Sequence, residues 1–323
     1  MTLLAFYDLA VSPVSFDFMH FLIGAQHFAQ GENLHVVIVP GPGDGFKEED
    51  HKPISTAEKI WRVDHILVPL CRMIGATVTV LRRREEAEAF KSKVFYPLTF
   101  GNGEPDKSFL ISVAKRAMDA GMVPRFEASE RAREHVKRLW GCGENLVTIT
   151  LRSTHSVMRN SNIATWTDVH LGLKSRGYWP VFISDTGKMG EAIWLAEFPD
   201  PLAACDLDIR AALYDAAVMN LSASGGPFSL CYLDAKRPFL FFLHLFEKRL
   251  MADQTGRLHF HPTAEWMELM GIPPGSQLPF SAPNRRIVWR RDDDAELILD
   301  QFDKATSTRI KEGPSHDQAE NVA

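Results

Sequence analysis

The chain has 323 residues, 45% of them hydrophobic and 24% charged, with a net charge of −5. That length favours two domains of about 100–200 residues each, and the balance excludes a disordered or fibrous polymer. The net charge provides no global field that would draw the chain to nucleic acid or anionic lipid.

The local basic runs do not change this picture. Arg82-Arg83-Arg84 leads into Glu85 and Glu86, and Arg290-Arg291 into Asp292 to Asp294, so both read as self-neutralised surface. Cys71, Cys142, Cys205 and Cys231 lie far apart with no C-x-x-C spacing, as expected of reduced thiols in a cytoplasmic protein. No apolar run approaches the roughly 20 residues that span a bilayer, so any membrane association is expected to be peripheral.

In chain order, Leu3 to Tyr7 reads as the first strand, because Asp8 and the lack of a basic leader argue against a signal peptide. Leu34 to Val39 and Thr77 to Leu81 follow as strands, separated by amphipathic helical stretches. The Pro/Gly-rich loop Val39 to Gly45 stands where such sheets carry functional loops, or is a plain turn. Phe100 to Asp106 breaks the pattern and the polar helix Glu127 to Trp140 follows it, which puts a domain boundary near residue 130.

Beyond it the rhythm is clearer. Strands are expected at Leu146 to Leu151, Pro180 to Ser184, Val218 to Leu221 and Pro238 to Leu243, and helices at Asn162 to Ser175 and Asp208 to Ala217. Ser161 or Asn162 caps the first helix and Gly177 ends it. The tail after Thr306 is polar and expected to fray. Alternating strands and helices in both halves predict an α/β protein of two Rossmann-like domains, 1–130 and 131–323, facing a cleft.

Two segments carry candidate chemistry. In Asn220 to Leu230 (NLSASGGPFSL) a strand runs into small residues where a helix begins. Gly225 and Gly226 let backbone approach a ligand, Pro227 suits a first helical turn, and exposed N–H groups there attract phosphate. Ser222, Ser224 and Phe228 complete this candidate cradle; a turn that needs glycine for packing alone is equally compatible. In Thr148 to Trp166 a strand ends at Arg152 and enters a polar loop with His155, Arg159, Asn160 and Asn162. An arginine at the C-terminal end of a parallel strand lies on the ligand-binding edge, and its fork suits diphosphate oxygens. Asp185 ends the next strand, placed for a ribose hydroxyl or a helix cap.

The run SGGPFSLCYLDAKRPFLFF is similar to the donor-site signature of GT-B fold glycosyltransferases such as ADP-heptose heptosyltransferases. TLRSTHSVMRNSN resembles the strand-then-arginine element of bacterial nodulation fucosyltransferases and protein O-fucosyltransferases, with Arg152 in the place of the donor-phosphate arginine. Thr150 replaces the histidine usual two residues earlier, and Ser224-Gly225 replaces the acidic residue before the Gly-Pro turn. The resemblance spans residues 145–245. It implies a glycosyltransferase that uses a nucleotide-sugar donor as co-substrate, without a further cofactor, and a glycan or lipid-linked saccharide as acceptor. A nucleotide-sugar epimerase-like enzyme and a non-catalytic binding protein of the same fold are the alternatives.

The acceptor-activating base is sought in the N-terminal loop Asp8 to His20, which offers Asp8, Asp17 and His20; helix-start and core roles suit the last two equally. No metal site is expected. Asp206-Leu207-Asp208 matches a D-x-D spacing but begins a helix, and His259-Phe260-His261 has no third ligand nearby. Trp61, Trp166 and Trp194 read as core rather than sugar-stacking platforms.

Overall fold

The protein is seen in a computed structural model that describes residues 2–47, 54–90, 95–98, 100, 107–141, 145–153, 160–185, 202–223, 225–244, 250–252, 258–260, 268, 273–290 and 293–312. Ser224, His155, Arg159, Trp194 and His261 lie outside them.

The first half opens with β1 (Thr2–Asp8), α1 (Phe18–Ala29) and β2 (Asn33–Val39). Both strands bury consecutive residues, as a parallel sheet covered on two faces requires. Next come α2 (Thr56–Arg62) and α3 (Val68–Met73), joined without a break by a π-helical turn over Val63–Leu67. Pro69 has no N–H to donate, and the Val68 N–H reaches back five residues to the Val63 carbonyl, so the ladder widens ahead of the proline. Ser55 caps α2 by accepting the Glu58 N–H, the capping-box spacing. After β3 (Thr77–Val80), the short β4 (Phe95–Tyr96) and α4 (Lys107–Asp119), the strand order is β3-β2-β1-β4, all parallel.

The second half runs α5 (Glu130–Trp140), β5 (Leu146–Thr150), α6 (Ile163–Ser175), β6 (Trp179–Ile183), α7 (Leu207–Ala216), β7 (Met219–Ala223), α8 (Ser229–Tyr232) and β8 (Phe239–His244). A small antiparallel pair, β9 (Leu250–Ala252) and β10 (Leu258–Phe260), precedes β11 (Arg285–Arg290) and α9 (Ala295–Glu312). The second sheet is parallel in the order β11-β8-β7-β5-β6. Both halves are therefore α/β with parallel sheets, as the strand-helix rhythm implies.

Four expectations change. The tail does not fray at Thr306, because α9 continues to Glu312 and the Thr306 and Ser307 hydroxyls bond back to carbonyls one turn earlier. Arg84 is more than a member of a self-neutralised run: it forks onto Asp8, 76 residues away, while Arg83 takes Glu85 and Glu86. Asp293 is not merely part of a mixed-charge surface run, since it accepts the Asn162 N–H and the Trp166 indole N–H. Trp166 is core, as expected, whereas Trp61 is half-exposed and stacks on His65.

The connection between the sheets is pinned on both sides. The Glu127 N–H reaches the Met73 carbonyl in the first half. Asp234, fully buried, accepts Arg125 and the Phe126 N–H, and buried Arg237 donates to the Phe126 and Leu230 carbonyls and to Asp215. Burial alone would lower the Arg237 guanidinium, but Asp215 and Asp234 outweigh it and hold it above its ordinary range. One hydrophobic cluster runs from Leu3 and Tyr7 of β1 to Phe228 and Phe239 beside β8, so the sheets share a core.

Candidate functional site

The site is built at the C-terminal ends of β6, β5 and β7, which are neighbours in that order. Thr150 pairs with Ile183 on one side and Ser222 on the other. Continuing that register by two residues sets Arg152 across from Asp185. The two charges interact, and the Asp185 carboxylate accepts the Ser153 N–H at 3.2 Å. Burial pushes the Arg152 guanidinium down and the nearby Asp185 charge opposes it. Ser161 locks the strand end, exchanging bonds between its hydroxyl and N–H and the Arg152 backbone N–H and carbonyl. Asn160 precedes it, half-buried beside the same loop.

On the far side of β5 the chain leaves β7 into the Gly225 to Phe228 turn. Buried Ser222 donates to the Thr150 carbonyl, and Phe228 is a core residue packed on Tyr214, Phe239 and Phe241. Pro227 is buried at the start of the turn. The Phe228 and Ser229 amides bond within the turn, so the Gly225 and Gly226 amides are the ones a ligand can meet. The two glycines differ: a Cβ on Gly225 would make only ordinary contacts, but one on Gly226 would come within 3.2 Å of the Phe16 ring. Gly226 thus serves packing as well.

Asn162 caps α6 by accepting the Thr165 N–H at 3.3 Å, and its own N–H goes to Asp293 at 2.8 Å. A carboxylate of the chain itself therefore sits at the start of α6, where the helix dipole favours negative charge.

Phe16 belongs to the loop after β1, so the C-terminal edge of the first sheet meets the Gly226 turn of the second. At that first edge Asp8 is buried and held by Arg84 and the Ala10 N–H. Asp17, half-buried at the start of α1, accepts the Ser15 hydroxyl at 3.0 Å. His20 is 2% exposed, its Nδ1 3.3 Å from the Asp17 carbonyl. The facing edges bring Arg152, the Gly225-Gly226 turn and the Asp17 loop to one side of the molecule.

No family profile matches the sequence, and no curated protein matches it. Among solved structures, the chain is similar to a glycosyl transferase of family 9 from Veillonella parvula, with a TM-score of 0.50 and 13% identity over 97% of both chains. The fold is GT-B-like. Escherichia coli ADP-heptose LPS heptosyltransferase II is also similar, at a TM-score of 0.49 and 13% identity over 96% of this chain and 100% of that one.

Within this GT-B-like fold the D-x-D carboxylates have structural partners. Asp206 caps α7 through the Asp208 and Ile209 N–H groups, and Asp208 accepts the Ser129 N–H and hydroxyl. Among the described residues no three His, Cys, Asp or Glu side chains are grouped to hold a metal, and no helix is long and apolar enough to cross a membrane. Sequence reading missed Arg84 and Arg210. Arg84 looked like part of a charge run, and Arg210 sits in a helix whose sequence gives no sign that this arginine faces inward.

Proposed function

We propose that the protein is a metal-independent glycosyltransferase that moves a sugar from a nucleotide-sugar donor to a hydroxyl of a glycan or lipid-linked saccharide. The observation that carries this reading is the convergence of Arg152 and the Gly225-Gly226 turn at adjacent strand ends, although more than 70 residues separate them. A guanidinium fork beside open backbone amides suits a diphosphate leaving group, the charge that develops as the glycosidic bond breaks. The 131–323 half holds the donor and the 1–130 half the acceptor.

In this reading the acceptor hydroxyl attacks the anomeric carbon in a direct inverting displacement. The bond to the nucleoside diphosphate breaks, Arg152 and the two glycine amides take up the leaving-group charge, and a carboxylate accepts the hydroxyl proton. Asp17, half-buried in the loop that meets the Gly226 turn, is our choice of base, whereas His20 is buried in α1. General-base assistance of this kind contributes about 10²–10⁴-fold. Asp185 orients Arg152 and borders the ribose of the donor. Asn160 and Asn162 border the donor, with Ser222 supporting the strand end; Ser224, outside the described residues, is assigned to the same cradle by its place in the sequence. Metal independence is favoured because Asp206, Asp208 and Asp293 are engaged in caps and loop bonds. The enzyme acts in the cytoplasm, at most peripherally on a membrane.

A panel of nucleotide sugars with and without saccharide acceptors tests the proposal. Transfer requires acceptor, epimerisation proceeds without it, and a binding protein shows affinity but no turnover. Activity abolished by a chelator and restored by manganese would remove the metal-independent part.

A further inference from the structure

Arg210 is among the largest fully buried side chains of the protein, and among the described residues none of its partners is charged. Its Nε donates to the Ala203 carbonyl at 2.6 Å, one Nη to the Ser184 carbonyl at 2.8 Å and the other to the Tyr214 hydroxyl at 3.4 Å. Among the described residues no carboxylate lies in ion-pair reach of it. Burying a cation without a counter-charge is costly, and a partner carboxylate is the ordinary remedy, as Asp234 and Asp215 show for Arg237 in this same half of the chain.

The position of Arg210 gives the missing charge a place. Ser184 directly precedes Asp185 at the end of β6, and Tyr214 Oη meets Thr150 Oγ1 at 2.7 Å at the end of β5. Arg210 therefore lies under the strand ends that carry Arg152 and Asp185. With Asp185 set against Arg152, no carboxylate among the described residues balances Arg210, and a bound anion at that edge would do so.

We propose that Arg210 is the buried half of this anion site, a fixed cation that selects a diphosphate over a less charged ligand without touching it. The proposal rests on the donor reading above, and it makes Arg210 a positioning and electrostatic residue rather than a catalytic one. Its field acts through low-dielectric protein, where a charge is felt more strongly than through water. Its bonds to Ala203 and Ser184 also fix the strand end that presents Asp185.

The test is calorimetric titration of wild type, Arg210→Lys, Arg210→Gln and Arg210→Met with a nucleoside diphosphate, the same uncharged nucleoside and inorganic pyrophosphate. Thermal melting is followed in parallel. Diphosphate affinity should fall about tenfold in the neutral variants and stay within a few-fold in the lysine variant, with nucleoside affinity unchanged throughout. Glutamine can still donate to a carbonyl, so it keeps the test open if the methionine variant does not fold. A purely structural Arg210 would lower the melting temperatures yet leave the diphosphate-over-nucleoside preference of the folded variants intact, and that result overturns the proposal. If wild type binds pyrophosphate but no nucleotide, the donor assignment fails while dependence on Arg210 still decides this inference. If neither binds, both fall.

Discussion

Arg152 shows how a residue's surroundings change what its removal should do. Taken as a strand-end side chain in a wet cleft, it would be removable at little cost to folding. Asp185, which is 9% exposed, stands across from it, and loss of the arginine removes a positive charge beside that buried carboxylate. Arg152→Ala should therefore weaken nucleoside diphosphate binding by about 1.5–3 kcal/mol, the range for a hydrogen bond to a charged group, and also lower the melting temperature. Adding Asp185→Asn should restore much of the stability but none of the affinity. A single variant that melts and binds like wild type would show the site to be elsewhere. Lysine at 152 should recover only part of the binding, because a point charge lacks the fork. For Asp17, substitution by asparagine should leave donor affinity unchanged while cutting kcat by at least about 10²-fold, measured with saturating acceptor. An unchanged kcat would remove it as the base.

At the scale of the element, the Gly225 to Phe228 turn separates packing from ligand approach. Gly225 is extended and a Cβ there meets nothing closer than 3.7 Å, so Gly225→Ala should melt normally and yet bind nucleoside diphosphate more weakly. Gly226→Ala pushes against Phe16 at 3.2 Å and should cost about 1–3 kcal/mol by overpacking, relieved by Phe16→Leu in the double variant. If Gly225→Ala binds as tightly as wild type, the turn is a packing feature and not a cradle. The helix caps were more legible. Asn162 and Gly177 bracket α6 because a capping side chain and a left-handed glycine act locally, within a turn of the residues they join. The π-helical turn ahead of Pro69 was not read from sequence, since proline in a helical pattern signals a break as readily as a widened ladder.

Across the whole molecule, the shared cluster from Leu3 to Phe239 and the pinned connection at Phe126 predict cooperative behaviour. Calorimetric unfolding should give one transition, and two well-separated transitions would contradict a common core. Asp234→Ala should be among the most damaging single changes, about 3–5 kcal/mol, because it leaves the Arg125 charge and the Phe126 N–H without their carboxylate and leaves buried Arg237 with Asp215 alone. Proteolysis near residues 122–129 should increase in that variant, which separates loosening of the connection from general loss of stability.

By itself the sequence determined the two α/β halves, most strand positions in the regular part of each, and the placing of Arg152 and the Gly225-Gly226 turn at strand ends. Those features are local: periodicity, capping and turn chemistry are set by residues a few positions apart. Only the tertiary structure decided that Arg152 faces Asp185, that Arg84 serves Asp8, that Phe16 fills the space beside Gly226, and that Arg210 carries a buried charge with neutral partners. Each of these joins residues that are distant in the chain and adjacent only across parallel strands or between sheets. Spacing along one sequence cannot encode which charge meets which, because strand order and register choose the partners.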